Sequence, residues 1–177
     1  MGKLNSDDVL NFWFKETKKE QHYKKDPDFD ELIREKFLST YQAIVAGECF
    51  KWRQTPKGRL AEIIVLDQFS RNMFRDQPEA FKYDSLALAL AQECILQGDD
   101  KKIPEEEGRS FIYMPFMHSE SLMMQEMSLE LFNNSKYAVS HHAIVARFGR
   151  FPHRNRILDR ENTPEETEFL TQPGSSF

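Results

Sequence analysis

The sequence predicts an all-α fold built from antiparallel helical pairs. Three observations carry that reading. Apolar residues recur at helical spacing along most of the 177 residues. Capping and stop residues bracket these stretches, and the connections between them are short. No stretch alternates as a half-buried strand would, and no Asn-Gly or Asp-Gly hairpin turn occurs.

Ser6 or Asp7 can cap a first helix carrying Val9, Leu10, Trp13 and Phe14. Asp28 can cap a second, whose apolar face is Phe29, Leu32, Ile33, Phe37, Tyr41 and Ile44 and which stops at Gly47. Thr55–Gly58 reads as a turn before a third helix over Arg59–Phe69. Gln77-Pro78-Glu79 opens a fourth, whose Ala/Leu-rich run Leu86–Leu96 ends at Gly98. A charged loop, Asp99–Gly108, precedes a short helix near Arg109–Tyr113 that Pro115 is expected to break. Ser119 is the expected cap of a helix reaching Phe132. Asn133-Asn134-Ser135 turns the chain into Lys136–Phe148, closed by Gly149. Thr163-Pro164-Glu165-Glu166 starts a short last helix. A single domain over residues 1–177 is expected, with a loose tail from about 171.

Composition narrows the function classes. Apolar residues make up 40% and charged residues 30%, the balance of a globular chain that buries a core without staples. The net charge of −5 makes nucleic acid an unlikely partner. Cys49 and Cys94 are too few for a disulfide framework and suggest a reducing, cytoplasmic setting. No apolar run reaches membrane-spanning length, and the start lacks the pattern of a secretory signal. Met1–Ser6 does fit a myristoylation pattern on Gly2. Nucleophile-elbow, P-loop, dinucleotide and zinc-spacing motifs are all missing, so no cofactor and no metal is expected.

Polar residues on apolar stripes mark the candidate site. Asp67 lies seven residues after Leu60 and four before Arg71, which places all three on one helical face. Glu126 falls between Leu122 and Leu129. His141 sits within a stripe of Tyr137, Ile144 and Phe148. His118 and Glu120 flank a helix start. Arg147, Arg150, His153, Arg154 and Asn155 belong to a segment, Arg147–Arg160, with five arginines and one acid. Such an island can hold a carboxylate or phosphate, because a guanidinium binds either in two-pronged fashion. The same arginines can instead staple helix ends by pairing with Asp67, Glu120 and Glu126, since buried acids need donors. If chemistry occurs here, it is acid/base chemistry by Asp67, His118, Glu120, Glu126 or His141.

Val9–Phe14, Gly58–Ala61 with Leu66–Asn72, Tyr113–Glu120 and Arg147–Asn155 together resemble the motifs of the domain of unknown function 924 family, over about Val9 to Phe169. The family pattern has proline where this chain has Ser70, and a basic residue where it has His142. The resemblance implies helical pairs in a tetratricopeptide-like right-handed superhelix and brings no catalytic roles with it. On that fold the leading expectation is a binding module that engages a peptide or protein segment on a concave face. The alternative is an anionic small-molecule site, or an acid/base enzyme, using the Arg/His/carboxylate residues.

Overall fold

A computed structural model describes residues 4–177. Gly2, the candidate lipidation site, lies outside the described residues. Every regular element among those residues is helical: α1 (Ser6–Asn11), α2 (Pro27–Val45), α3 (Pro56–Ile64), α4 (Ser70–Met73), α5 (Asp84–Leu96), α6 (Arg109–Met117), α7 (Leu122–Leu131), α8 (Lys136–Phe148) and α9 (Pro164–Phe169), with short 3-10 and π segments between them. None of these helices is long and apolar enough to cross a membrane. Contacts divide the chain into two compact units. One takes the described residues up to Arg75 with Glu79–Pro115; the other takes Asp76–Pro78 with Phe116–Phe177.

In the first unit Asn5 and Asp8 form a reciprocal cap on α1, one residue earlier than the sequence suggests. Asp26, not Asp28, caps α2, because Pro27 takes the first helical position. Leu32, expected on the inner face of α2, is exposed. Two π turns, Phe12–Glu16 and Val65–Phe69, extend α1 and α3. Each inserts a residue and so rotates the downstream side chains by about 100° relative to an uninterrupted helix. Trp13 and Phe69 then meet with ring centroids 5.3 Å apart, and Phe37 lies 4.7 Å from Phe69. His22 stacks on Trp13 at 3.7 Å.

Every residue from Leu60 to Ser70 is buried. A helix sealed on all sides must satisfy its charges internally. Glu62 does so through a two-pronged ion pair with Arg53, at 2.8 and 2.9 Å. Ser70 donates to the Leu66 carbonyl at 2.6 Å, a bond that proline at this position could not make. Gly58 lets the start of α3 approach the preceding 3-10 turn: a Cβ there would stand 2.0 Å from the Trp52 carbonyl oxygen.

In the second unit α7 and α8 form a helical hairpin through Phe132–Ser135, where Asn133 and Asn134 both take left-handed backbone angles. Ser135 caps α8 and Gly149 ends it at φ 71°. Thr163 and Glu166 form a capping box on α9. Ile144, Val145 and Phe151 are the apolar core, with Phe148 and Phe169 packed against them. Residues 171–177 fold back on this unit: Ser175 is buried and the Phe177 ring lies against His141. Pro115 does not break α6, which runs on to Met117. Its ring lacks the N–H that would bond to the Phe111 carbonyl, but only Phe116 and Met117 follow it in the helix. The helix expected after Ser119 starts instead at Leu122, while the Ser119 hydroxyl accepts from the Ser121 N–H.

Gly58→Ala is expected to destabilise the chain by roughly 2 kcal/mol or more, since the added methyl meets backbone rather than a yielding side chain. Urea unfolding checks this; an unchanged midpoint would show that the 3-10 turn moves aside freely.

Candidate functional site

The candidate residues fall in both units. Asp67 and Arg71 belong to the first. Asp67 is buried in the π turn and accepts from Gln68 Nε2 at 2.7 Å. Its Oδ1 is 3.6 Å from Arg71 Nη1, so the expected pair exists at the edge of contact. The fork of Arg71 is directed at Asp84, at 2.8 and 2.9 Å, and Arg71 Nη1 also donates to the Asp67 carbonyl oxygen. Burial opposes the charge on Arg71, but Asp84 and Asp67 outweigh it and hold the guanidinium firmly protonated. The seven-residue spacing from Leu60 does not describe this geometry, because the π turn shifts the register.

The other candidates lie in the second unit. Glu120 accepts from Phe151 N–H at 2.8 Å and from both Nη atoms of Arg160, at 2.8 and 2.9 Å. Arg160 also donates through Nε to Asn155 Oδ1 at 2.9 Å, and through Nη2 to the Phe151 carbonyl at 3.2 Å. Asn155 is fully buried and donates to Asn162 Oδ1 at 2.8 Å and to Glu166 Oε2 at 3.3 Å. Glu166 receives Arg150 at 2.7 and 2.8 Å and the Thr163 N–H at 2.8 Å. Glu120, Arg160, Asn155, Glu166 and Arg150 thus form one continuous chain of bonds. It ties the stretch after α8 to the start of α9 and to the segment before α7.

This chain fixes charge as well as shape. The Arg150 bond, opposed by burial and helped by Thr163, Arg150's charge and Asn155, lowers the Glu166 pKa to about 2. Burial alone would raise the Glu120 pKa, but Arg160, the Phe151 N–H and Arg154 together bring it below its ordinary value. Arg147 pairs with Glu165 at 2.8 Å, an exposed contact. Glu126 is exposed on the outer face of α7, not on an apolar stripe, and so needs no buried donor. The buried positions of α7 are Gln125 and Ser128 instead.

A second group gathers around Phe151. The Arg154 guanidinium lies 4.6 Å over the Phe151 ring and donates to the His118 carbonyl at 2.9 Å. The His118 and His141 rings are 6.3 Å apart, His141 is 5.6 Å from Phe151, and His153 is 5.7 Å from it. His141 Nδ1–H donates to the Tyr137 carbonyl at 2.7 Å, so the neutral ring carries its lone pair on Nε2. Tyr137 itself is exposed, contrary to the stripe expected of α8. Burial, with His118, His153 and Arg154 adding positive surroundings, brings the His141 pKa down to about 3 despite the Tyr137 bond. Among the described residues no group of three or more His, Cys, Asp or Glu could hold a metal ion.

Three contributors escaped the sequence reading. Glu166 reads as a helix-cap residue and serves as one, while also anchoring Arg150. Arg160 is counted in the basic segment without being distinguished from its neighbours. Phe177 lies in what looks like a tail.

Glu120→Ala is expected to cost about 2–3 kcal/mol, because it strips charged partners from Arg160 and orphans the Phe151 N–H. Arg147→Ala, at an exposed pair, should cost under ~1 kcal/mol. Chemical unfolding of the two variants side by side checks the contrast. His141 also confers a pH effect. Its folded pKa is depressed, so below the ordinary 6.5 the unfolded chain takes the proton first. Its contribution is complete above pH 6.5 and declines as pH falls toward about 3, by at most about 1.4 kcal/mol per pH unit. His141→Phe should therefore flatten the dependence of Tm on pH between about 6.5 and 5, above the range where Glu120 and Glu166 begin to take up protons. His22, also lowered, chiefly by burial, contributes equally to both proteins. Parallel Tm profiles would contradict this reading.

No curated protein matches the chain. A solved structure of a protein of unknown function, ATU0120 from Agrobacterium tumefaciens, is similar to it: 37% identical, with a TM-score of 0.88 over 93% of this chain and 96% of that one. The family described as bacterial protein of unknown function, DUF924, matches residues 9–174. With the motifs Val9–Phe14, Gly58–Asn72, Tyr113–Glu120 and Arg147–Asn155 all inside that span, the chain belongs to the DUF924 family.

Proposed function

We propose that the second unit binds a small organic anion at His118, His141, His153 and Arg154. The observation that carries this reading is the gathering of three imidazoles and a buried guanidinium around Phe151. Glu120 and Glu166, the carboxylates nearest in the network, are each committed to a different arginine, Arg160 and Arg150. Arg150 and Arg147 serve structure through Glu166 and Glu165, and Arg154, whose charge also acts on Glu120, lies among the imidazoles. The Arg154 guanidinium and the imidazole N–H groups of His118 and His153 are donors that suit a carboxylate or phosphate, while His141, whose N–H goes to the Tyr137 carbonyl, borders them with its ring.

The reading gives His141 no general-base role, since a general base works best with a pKa near the working pH and burial holds His141 well below it. A second reading is a module that takes a peptide on a concave face of a tetratricopeptide-like right-handed superhelix. The exposed apolar residues of α7, Leu122, Met123 and Met127, favour it.

Titration with acetate and with inorganic phosphate, followed by the ring signals of the five histidines, tests the anion reading. Saturable shifts confined to His118, His141 and His153 are expected, with His22 and His142 unmoved. Arg154→Lys should weaken them and Arg147→Ala should not. Equal drift of all five signals, or no shift, would overturn the reading.

A further inference from the structure

The cluster around Phe151 includes one more ring, and its geometry is that of an occupied slot. Phe177 stacks on His141 with centroids 3.6 Å apart and planes 14° from parallel. Phe151 meets the same ring edge-on, at 6.3 Å and 86°. His153 does likewise, at 5.9 Å and 79°. One flat floor and two perpendicular walls make a space whose shape is set by a planar six-membered ring. The two edge-to-face contacts are of the kind that the quadrupole of an aromatic ring favours, and the nearly parallel face of His141 admits only a flat group. An aliphatic chain would gain neither.

The ring in that space is not deeply built in. Phe177 remains 56% exposed, while the His141 beneath it is only 6% exposed. The segment leading to it is held by a turn of its own: Thr171 Oγ1 donates to the Glu168 carbonyl at 2.7 Å, and Ser175 Oγ to the Leu170 carbonyl at 3.3 Å. Gly174, at φ 79°, gives that turn a left-handed residue without strain. Phe177 thus reaches His141 from an independently closed turn, and its side chain can leave without unravelling the unit's core of Ile144, Val145 and Phe151.

We propose that the His141 slot receives the planar ring of an aromatic carboxylate, with Arg154 and the neighbouring imidazoles taking the charged end, and that Phe177 competes for the same place. The inference rests on the anion reading and adds the ligand's class and a built-in competitor. A ring lying on His141 lies beside Phe151, and Arg154 covers the Phe151 ring. The charged end therefore needs only a short spacer from the ring, as in phenylacetate. Because the slot is available only while Phe177 is out of it, the apparent affinity of the intact chain is reduced by the fraction of time the slot is closed.

The test compares phenylacetate, cyclohexylacetate and acetate on the intact chain, on Phe177→Ala and on Phe177→Tyr, again by histidine ring signals. Phe177 is half exposed, so the alanine variant is expected to fold, and its circular dichroism should match that of the intact chain. Phe177→Ala is expected to bind phenylacetate about tenfold more tightly than the intact chain does. Phenylacetate should also exceed both other probes there, and shift His141 most through the ring current. Phe177→Tyr should behave as the intact chain. If acetate and phenylacetate bind alike in all three proteins, the aromatic slot is overturned and the anion reading stands. If phenylacetate is preferred over cyclohexylacetate but equally in the intact chain and Phe177→Ala, Phe177 is not its competitor and the proposal fails. If no probe moves His118, His141 or His153 in any protein, both readings fall together.

Discussion

The carboxylate of Glu120 closes the second unit. It bonds the backbone of Phe151 and the fork of Arg160 at once, joining positions 31 and 40 residues apart along the chain. Without that carboxylate, the stretch from Gly149 to Arg160 would lose its tie through Arg160 and the Phe151 N–H, keeping those of Arg150, Arg154 and Asn155. Phe151, His153 and Arg154 all lie in this stretch, so their placement around His141 depends on it. Glu166 repeats the device at the other end, taking Arg150 while capping its own helix. Charges removed from water are costly unless they meet well-oriented partners. Here each carboxylate has two or more donors, and the result is rigidity in a segment with almost no regular structure.

The first unit solves a different problem with the same chemistry. Its central helix is buried on every side, which leaves Glu62 and Asp67 no route to solvent. Arg53 meets Glu62 and Gln68 meets Asp67, while Arg71 spans Asp67 and Asp84. The π turns at Phe12–Glu16 and Val65–Phe69 bring Phe12, Trp13 and Phe69 into one aromatic group. A regular α-helix through Val65–Phe69 would aim the Phe69 ring elsewhere.

Helix positions and their stops were largely legible in the sequence, because they rest on local signals. Ser135 and Thr163 cap as their side chains suggest, and Gly149 ends α8 in the left-handed region. Errors arose where two local signals competed. Asp26 won over Asp28 because Pro27 prefers the first helical position. The Pro115 signal was weaker than the packing of α6, which continues to Met117. Periodicity failed past Val65, where an inserted residue changes the face, and it misplaced Glu126 and Tyr137, which are exposed. Of the candidate residues, the arginine-rich segment was found by composition. Which of its arginines pair with carboxylates, and which one sits among imidazoles, was not legible there.

By itself, the sequence determined the helical class, the order of the helices, the caps at Ser135 and Thr163 and the family, since each depends on residues within a turn or two of one another or on motifs read along the chain. Tertiary structure alone decided which arginine meets which carboxylate, that the polar candidates divide between two units, and that Phe177 lies on His141. Those outcomes depend on residues brought together from 16 to 40 positions apart. No local propensity encodes a pairing at that range. It emerges when apolar faces have chosen their partners and every charge left inside must find a donor.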